Sequence, residues 1–161
     1  MPLRRASSRV ILLDPTGRVL LLGCVVSNRE QTVWVTPGGG QEPWEDEVAA
    51  AQRELAEETG LIISREELGQ PVARSAGCWT AAEGVVYDTR DTYFAIQVEP
   101  FMPATSGFTQ LEREQVKYVR WWTPDHIEAT DEVVFPAGLA ALVRRLARGD
   151  YPSEPIDLLW S

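Results

Sequence analysis

Residues 39–61 read GGQEPWEDEVAAAQRELAEETGL. Five residues separate Gly39 from Glu45, and seven separate Glu45 from Arg53-Glu54-Leu55. One spacer then leads to Glu57-Glu58, and another to Gly60 and the aliphatic Leu61. Local physics makes most of this stretch a helix. Asp46 is a good N-cap, the run Glu47 to Thr59 is rich in Ala, Glu, Gln, Arg and Leu, and Gly60 can take the left-handed conformation that closes a helix.

Within that helix Glu54, Glu57 and Glu58 are separated by steps of three and four, so they share a face. Val48, Ala51 and Leu55 form an apolar stripe beside it that can anchor the helix to a core. A solvated surface helix would place a cation about one turn from each glutamate. Here only Arg53 is so placed, four residues before Glu57, and the segment holds no lysine. Uncompensated carboxylates on one face suit a hard divalent cation with oxygen ligands, Mg2+ or Mn2+. Just upstream, Val33 to Thr36 reads as a short strand, and Pro37-Gly38-Gly39-Gly40 as a turn whose bare backbone can approach a metal or a phosphate closely.

This order of residues resembles the Nudix box at every fixed position, and the chain is identified by it as similar to the Nudix hydrolases. The resemblance implies that Glu57 and Glu58 are principal metal ligands, with Glu54 a third ligand or a base and the Gly39 carbonyl a further ligand. It also implies that Arg53 orients a glutamate by salt bridge, and that Glu45 and Gly60 hold the loop–helix structure. The implied activity is metal-dependent hydrolysis of a nucleoside diphosphate linked to another group, by water attack at phosphorus, usually with Mg2+. Trp44 departs mildly from the box, standing where a small residue is common. It either shields the helix start or stacks on a substrate ring, and shielding is the simpler reading.

Many relatives add a glutamate from a downstream loop as ligand or base. The matching segment here, Pro100 to Gln115, offers Glu112 and Glu114. Glu114, nearer the following strand, is the better fixed of the two. Arg9 and Arg90 are the cations considered for a phosphate, though each also reads as an ordinary surface arginine. The substrate stays open among nucleoside triphosphates, nucleotide sugars and ADP-ribose. The positions roughly sixteen beyond the box are Ala76-Gly77-Cys78-Trp79, which match neither the ADP-ribose nor the diadenosine-polyphosphate signature. The alternative reading is a nucleotide-sensing Nudix domain that does not cleave. The intact Glu54, Glu57 and Glu58 weigh against it.

At 161 residues the chain is expected to form one domain, residues 1–161, with a C-terminal tail 150–161. That tail could cover a core, a pocket or a partner, and a homodimer is left open. The net charge is −9. From Gly39 to Gln70 nine acidic and two basic residues leave a local balance of −7. A basic footprint for long nucleic acid is missing. An acidic site can still take a polyphosphate once metal ions neutralise both partners. No apolar run is long enough for a membrane span, and the start shows no signal region, so the cytoplasm is the expected compartment. Cys24 and Cys78 are too few for a disulfide framework and lack zinc-site spacing, and read as buried thiols.

Outside the box, Arg9 to Leu13 and Arg18 to Val25 are strands joined by the turn Asp14-Pro15-Thr16-Gly17. Val72 to Thr80 and Val85 to Val98 follow, the second expected to break near Asp88 to Asp91, and then Val116 to Trp122. Thr123-Pro124 starts a short helix, where His126 is assigned no chemistry. Leu139, Leu142, Val143 and Leu146 mark an amphipathic helix ending near Gly149. Trp34, Trp121 and Trp122 are read as core or sheet-face residues, and Trp79 and Trp160 as exposed. The elements predict an α/β (α+β) protein, an α/β/α sandwich with a mixed β-sheet, which is the Nudix fold type.

Overall fold

Eleven residues, Leu3–Leu13, run as one strand, β1, and the sheet is assembled on it. The computed structural model describes residues 1–25, 31–81, 83–103 and 116–160. After β1 come β2 (Val19–Val25), β3 (Thr32–Val35), β4 (Gly38–Gly40), α1 (Glu47–Thr59) and α2 (Arg65–Leu68). Then follow β5 (Ala73–Thr80), β6 (Val86–Gln97), β7 (Val116–Trp122), α3 (Pro124–Ala129), β8 (Val133–Val134), α4 (Leu139–Ala147) and β9 (Ile156–Leu158).

The sheet is mixed, in the order β8-β3-β2-β1-β6-β5-β9, with β4 on β1 and β7 on β2. β1 and β6 lie parallel in unbroken register from Leu3 opposite Tyr87 to Leu13 opposite Gln97. The hairpin partner β2 meets β1 only at Leu13 opposite Val19, after the turn predicted from Asp14 to Gly17. There Asp14 Oδ1 accepts from the Thr16 and Arg18 N–H groups, each at 2.9 Å. Because β2 diverges, β4 can occupy the edge of β1 from Ser7 to Arg9. That fork sets the glycine turn beside the middle of the sheet.

Alternation along the strands makes two cores. Val10, Leu12, Leu20 and Phe94 pack under Ala51 and Leu55 of α1. Ile11, Leu13, Val19, Leu21, Tyr93 and Ala95 pack against Leu139, Leu142, Val143 and Leu146 of α4. With α1 on one face and α4 on the other, the architecture is the expected sandwich around a mixed sheet. Fully burying a side chain such as Leu55 contributes about 1.5–3 kcal/mol, so the apolar stripe of α1 is enough to seat the helix and aim its acidic face.

Several expectations need correction. β1 begins at Leu3 rather than Arg9, because its polar first half pairs with β6 on one edge and β4 on the other. β6 is not broken at Asp88 to Asp91: Asp91 is buried inside the sheet, facing Arg9 at 3.9 Å. The cysteines are not buried thiols, since Cys78 is exposed and Cys24 half-buried. Trp44 does not shield the helix start, being 81% exposed. Trp79 and Trp160 are both half-buried rather than exposed. Trp79 stacks on Tyr87 with centroids 4.8 Å apart, and Trp160 leans on Phe135 at 5.8 Å. Part of the C-terminal tail is a strand, β9, parallel to β5. Among the described residues no helix is long and apolar enough to cross a membrane.

Candidate active site

Helix α1 and strand β4 converge on the edge of β1. Asp46 caps the helix by accepting from the Ala49 N–H at 2.7 Å. The hydrogen bond from Arg65, followed by that from Ala49, holds the Asp46 carboxyl down at about 2. At the other end Gly60 adopts φ 79° and its N–H reaches the Ala56 carbonyl at 2.9 Å. The helix ends are thus fixed on both sides of the glutamates.

β4 is a strand with no side chains, held by its backbone to β1, with Gly38 opposite Arg9 and Gly39 opposite Ser8. Gly38 has φ +148°, and a Cβ there would stand 2.3 Å from the Ser8 carbonyl oxygen. Its N–H donates to Glu58 Oε1 at 2.7 Å. A Cβ on Gly39 would stand 2.5 Å from Glu54 Oε1. Bare backbone and two buried carboxylates therefore lie against each other, which no residue larger than glycine permits.

Arg53 braces the group. Its Nε and Nη2 donate to the two oxygens of Glu45 at 2.8 and 2.9 Å, and Nη2 also reaches the Gly40 carbonyl at 2.9 Å. Nη1 reaches Glu54 Oε1 at 3.0 Å and Glu57 Oε2 at 3.4 Å. The Arg53 hydrogen bonds hold the Glu45 carboxyl below its ordinary range, and those from Glu45, then the charge of Glu54, push Arg53 further up. Glu54 and Glu58 are buried, while the Glu57 side chain keeps 33% of its surface exposed. It is the box carboxylate open to an arriving ligand.

Among the described residues, no three Asp, Glu, His or Cys side chains stand together closely enough to hold a metal ion as they are. Arg53 and the Gly38 N–H take up some of the carboxylate oxygens. The donor set nonetheless fits a hard cation, because Glu54, Glu57, Glu58 and the half-buried glycine backbone supply oxygen and neither nitrogen nor sulfur.

The other sequence candidates divide. Arg9 lies on the α4 side of the sheet, with Nη1 donating to the Thr36 carbonyl at 2.9 Å. Its charge faces Asp91 first and also feels Glu58. Arg90 falls by strand alternation on the α1 side of the sheet, is 68% exposed and faces Asp88 at 3.8 Å. Glu112 and Glu114 lie outside the described residues. Sequence reasoning missed Arg5, whose guanidinium is 3.5 Å from where a Gly40 Cβ would stand. The period-two series Arg5-x-Ser7-x-Arg9 was the available signal. It also missed Asp91, taken for a loop residue.

With this geometry in place, the comparisons with known proteins can be read. The NUDIX domain family model matches residues 3–143, and the chain belongs to the Nudix family. It is accordingly a hydrolase of pyrophosphate bonds, from a family that in general uses divalent metal ions. The MutT protein of Methanosarcina mazei Go1 has a similar structure, with TM-score 0.64, 18% identity, and 92% of this chain and 96% of that one covered. The ORF135 protein of E. coli gives 0.60 and 20% over 95% and 96%. An Ap4A hydrolase of C. elegans gives 0.56 and 20% over 90% and 96%. At such identities these likenesses establish the fold alone. No curated protein matches the chain in sequence.

Proposed function

We propose that the chain hydrolyses a nucleoside diphosphate linked to another group, with water as nucleophile and Mg2+ or Mn2+ as cofactor. The observation that carries this reading is the contact of Glu58 with the Gly38 N–H at 2.7 Å, which locks the acidic face of α1 against a side-chain-free turn. On this reading Glu54, Glu57, Glu58 and the Gly39 carbonyl would hold the metal, which neutralises the diphosphate and makes water a better nucleophile. Arg53 positions Glu54 and Glu57, and Glu45 positions Arg53. Glu54, buried beside Gly39, is the carboxylate suited to take the proton of water, with Glu112 and Glu114 as further candidates. Arg5, next to Gly40, is the cation suited to meet a phosphate oxygen. The active unit on this reading is one domain, residues 1–161 with the 150–161 tail included, acting in the cytoplasm on a small nucleotide.

The test is nucleotide and phosphate release from ADP-ribose, nucleotide sugars, dinucleotides and nucleoside triphosphates, with Mg2+, Mn2+ and EDTA arms. Cleavage that needs metal and is lost in Glu57→Gln supports the proposal. Cleavage undiminished in EDTA would sink the metal site, and nucleotide binding without any cleavage would favour a sensing role.

A further inference from the structure

Strand β4 consists of three glycines and has no side chain to pack, so its place depends on what its backbone rests against. Two bonds from β1 fix the residues that lead into it. The Val10 N–H donates to the Pro37 carbonyl at 2.9 Å, and Arg9 Nη1 donates to the Thr36 carbonyl at 2.9 Å. Thr36 is buried, so its carbonyl needs a partner from the protein. Gly38 then lies on the Arg9 residue itself: a Cβ at Gly38 would stand 2.6 Å from both Arg9 Cα and Arg9 Cγ. From that seat the Gly38 N–H reaches Glu58 Oε1 at 2.7 Å. The carbonyl of the neighbouring Gly39 is set by the same turn.

Charge, more than packing, keeps Arg9 in this place. With Phe135 and Trp160 it lines a cavity of ≈ 70 Å³, which leaves its side chain room to turn away from Thr36. Asp91 Oδ2 faces Arg9 Nε at 3.9 Å, too far for a hydrogen bond, and the Asp91 side chain is buried. At that depth the attraction is little screened by salt. The Ser7 hydroxyl bonds the Asp91 carboxylate, and Arg5 adds its charge. The parallel β1–β6 pair brings these groups together, with Ser7 opposite Asp91 and Arg9 one step further along the same face. The line from Asp91 through Arg9 to Thr36 therefore ends at the turn that Glu58 meets from the α1 side.

We propose that Arg9, held by Asp91, is a positioning residue: from the face of the sheet opposite α1 it sets the glycine turn where Glu58 and the Gly39 carbonyl can serve a divalent cation. This rests on the hydrolase reading above. Arg9 and Asp91 supply no ligand to the metal and act through Gly38. Removing an outer group of this kind lowers metal affinity or activity by about ten- to a hundredfold. A pair that only stabilised the sheet would instead lower the melting temperature and leave the metal site of the folded protein as it was.

The experiment compares wild type, Arg9→Met, Arg9→Lys and Asp91→Asn in the full chain, by Mn2+ binding without substrate and by hydrogen exchange of the Gly38 amide. Arg9→Met should bind Mn2+ about ten- to a hundredfold more weakly. Its Gly38 amide should exchange faster, by about tenfold or more relative to that of Phe94, which is buried on the inner strand β6 and reports opening of the whole fold. Arg9→Lys, which can still donate to the Thr36 carbonyl, should recover part of both losses. Asp91→Asn keeps the shape and the Thr36 bond, and should show smaller changes in the same direction. With metal and a cleaved substrate, kcat should fall in Arg9→Met more than KM rises. Unchanged Mn2+ affinity, with Gly38 and Phe94 exchange accelerated alike, would assign the pair to the stability of the sheet and overturn the proposal; if Arg9→Met does not fold, the same result in Asp91→Asn does so. A wild-type chain that binds no Mn2+ would remove the metal reading, whereas selective loosening of the Gly38 amide in that chain's Arg9 variants would still leave Arg9 as the residue that holds the turn.

Discussion

Arg53 and Glu45 meet fork to fork, Nε to Oε2 at 2.8 Å and Nη2 to Oε1 at 2.9 Å. The same guanidinium extends its third nitrogen to Glu54 and Glu57. A planar cation thereby couples the turn before α1 to two carboxylates on the helix. Lysine carries the charge but cannot make this bidentate arrangement. Arg53→Lys should keep the fold, lose about 1–2 kcal/mol of stability and drop in kcat by about tenfold to a hundredfold, with KM much less affected. A melting curve and steady-state kinetics check both parts. A variant equally active and equally stable would show that the fork has no positioning role.

Glu58 has two separable tasks. Its Oε1 accepts from the Gly38 N–H, which glutamine can still satisfy, while its charge is what a divalent cation needs. Glu58→Gln should therefore melt near the wild-type temperature but lose hydrolysis by about three orders of magnitude or more. Glu58→Ala should lose hydrolysis and, by orphaning the amide, about a further 1–3 kcal/mol. Measured together, the pair separates hydrogen bond from charge.

Gly38 and Gly39 differ in what surrounds them. An added methyl on Gly38 meets the backbone of Ser8 and Arg9 and must be accommodated at φ +148°. On Gly39 it meets the end of the Glu54 side chain. Gly38→Ala should accordingly be a folding defect, lowering stability by more than about 2 kcal/mol as the β1–β4 pairing is displaced. Gly39→Ala should be chiefly a catalytic defect, because Glu54 can swing aside only by leaving Arg53. Denaturant titration beside kinetics would reveal the contrast, and similar stability losses in both variants would contradict it.

How much of this could be read from the sequence depends on how local the cause is. α1 was legible from Asp46 to Gly60 because caps and a 3.6-residue period act within a few residues. The hairpin turn was legible for the same reason, through Asp14. β4 was not, since three glycines have no strand propensity and pair only because β2 leaves the edge of β1 open. Neither was β9, whose partner β5 is about eighty residues earlier along the chain. The same distance in sequence hid Asp91. Its acidic, loop-like neighbourhood signals a break, and it is Arg9, Ser7 and Arg5, facing it across the β1–β6 pair, that let β6 run through. In the site itself, the motif delivered the helix residues, whereas Arg5 depends on the β1–β4 register, which no local pattern marks.

The acid limb of stability offers a final prediction, centred on Asp46. Hydrogen bonds from Arg65 and then from the Ala49 N–H lower its pKa to about 2 in the folded chain, from 3.8 when unperturbed. A lowered carboxyl stabilises the fold above the unfolded value, and that contribution is lost as pH falls through the window from about 4 to 2, where the unfolded chain takes up the proton first. Asp46→Asn keeps a capping oxygen but cannot titrate. Its melting temperature should lie below wild type at neutral pH and decline less steeply between about pH 4 and 2, so that the two curves converge in acid. Salt should shrink the difference at neutral pH, because the Arg65–Asp46 pair is solvent-exposed. Parallel curves through that window would mean that the Asp46 cap contributes nothing through its charge.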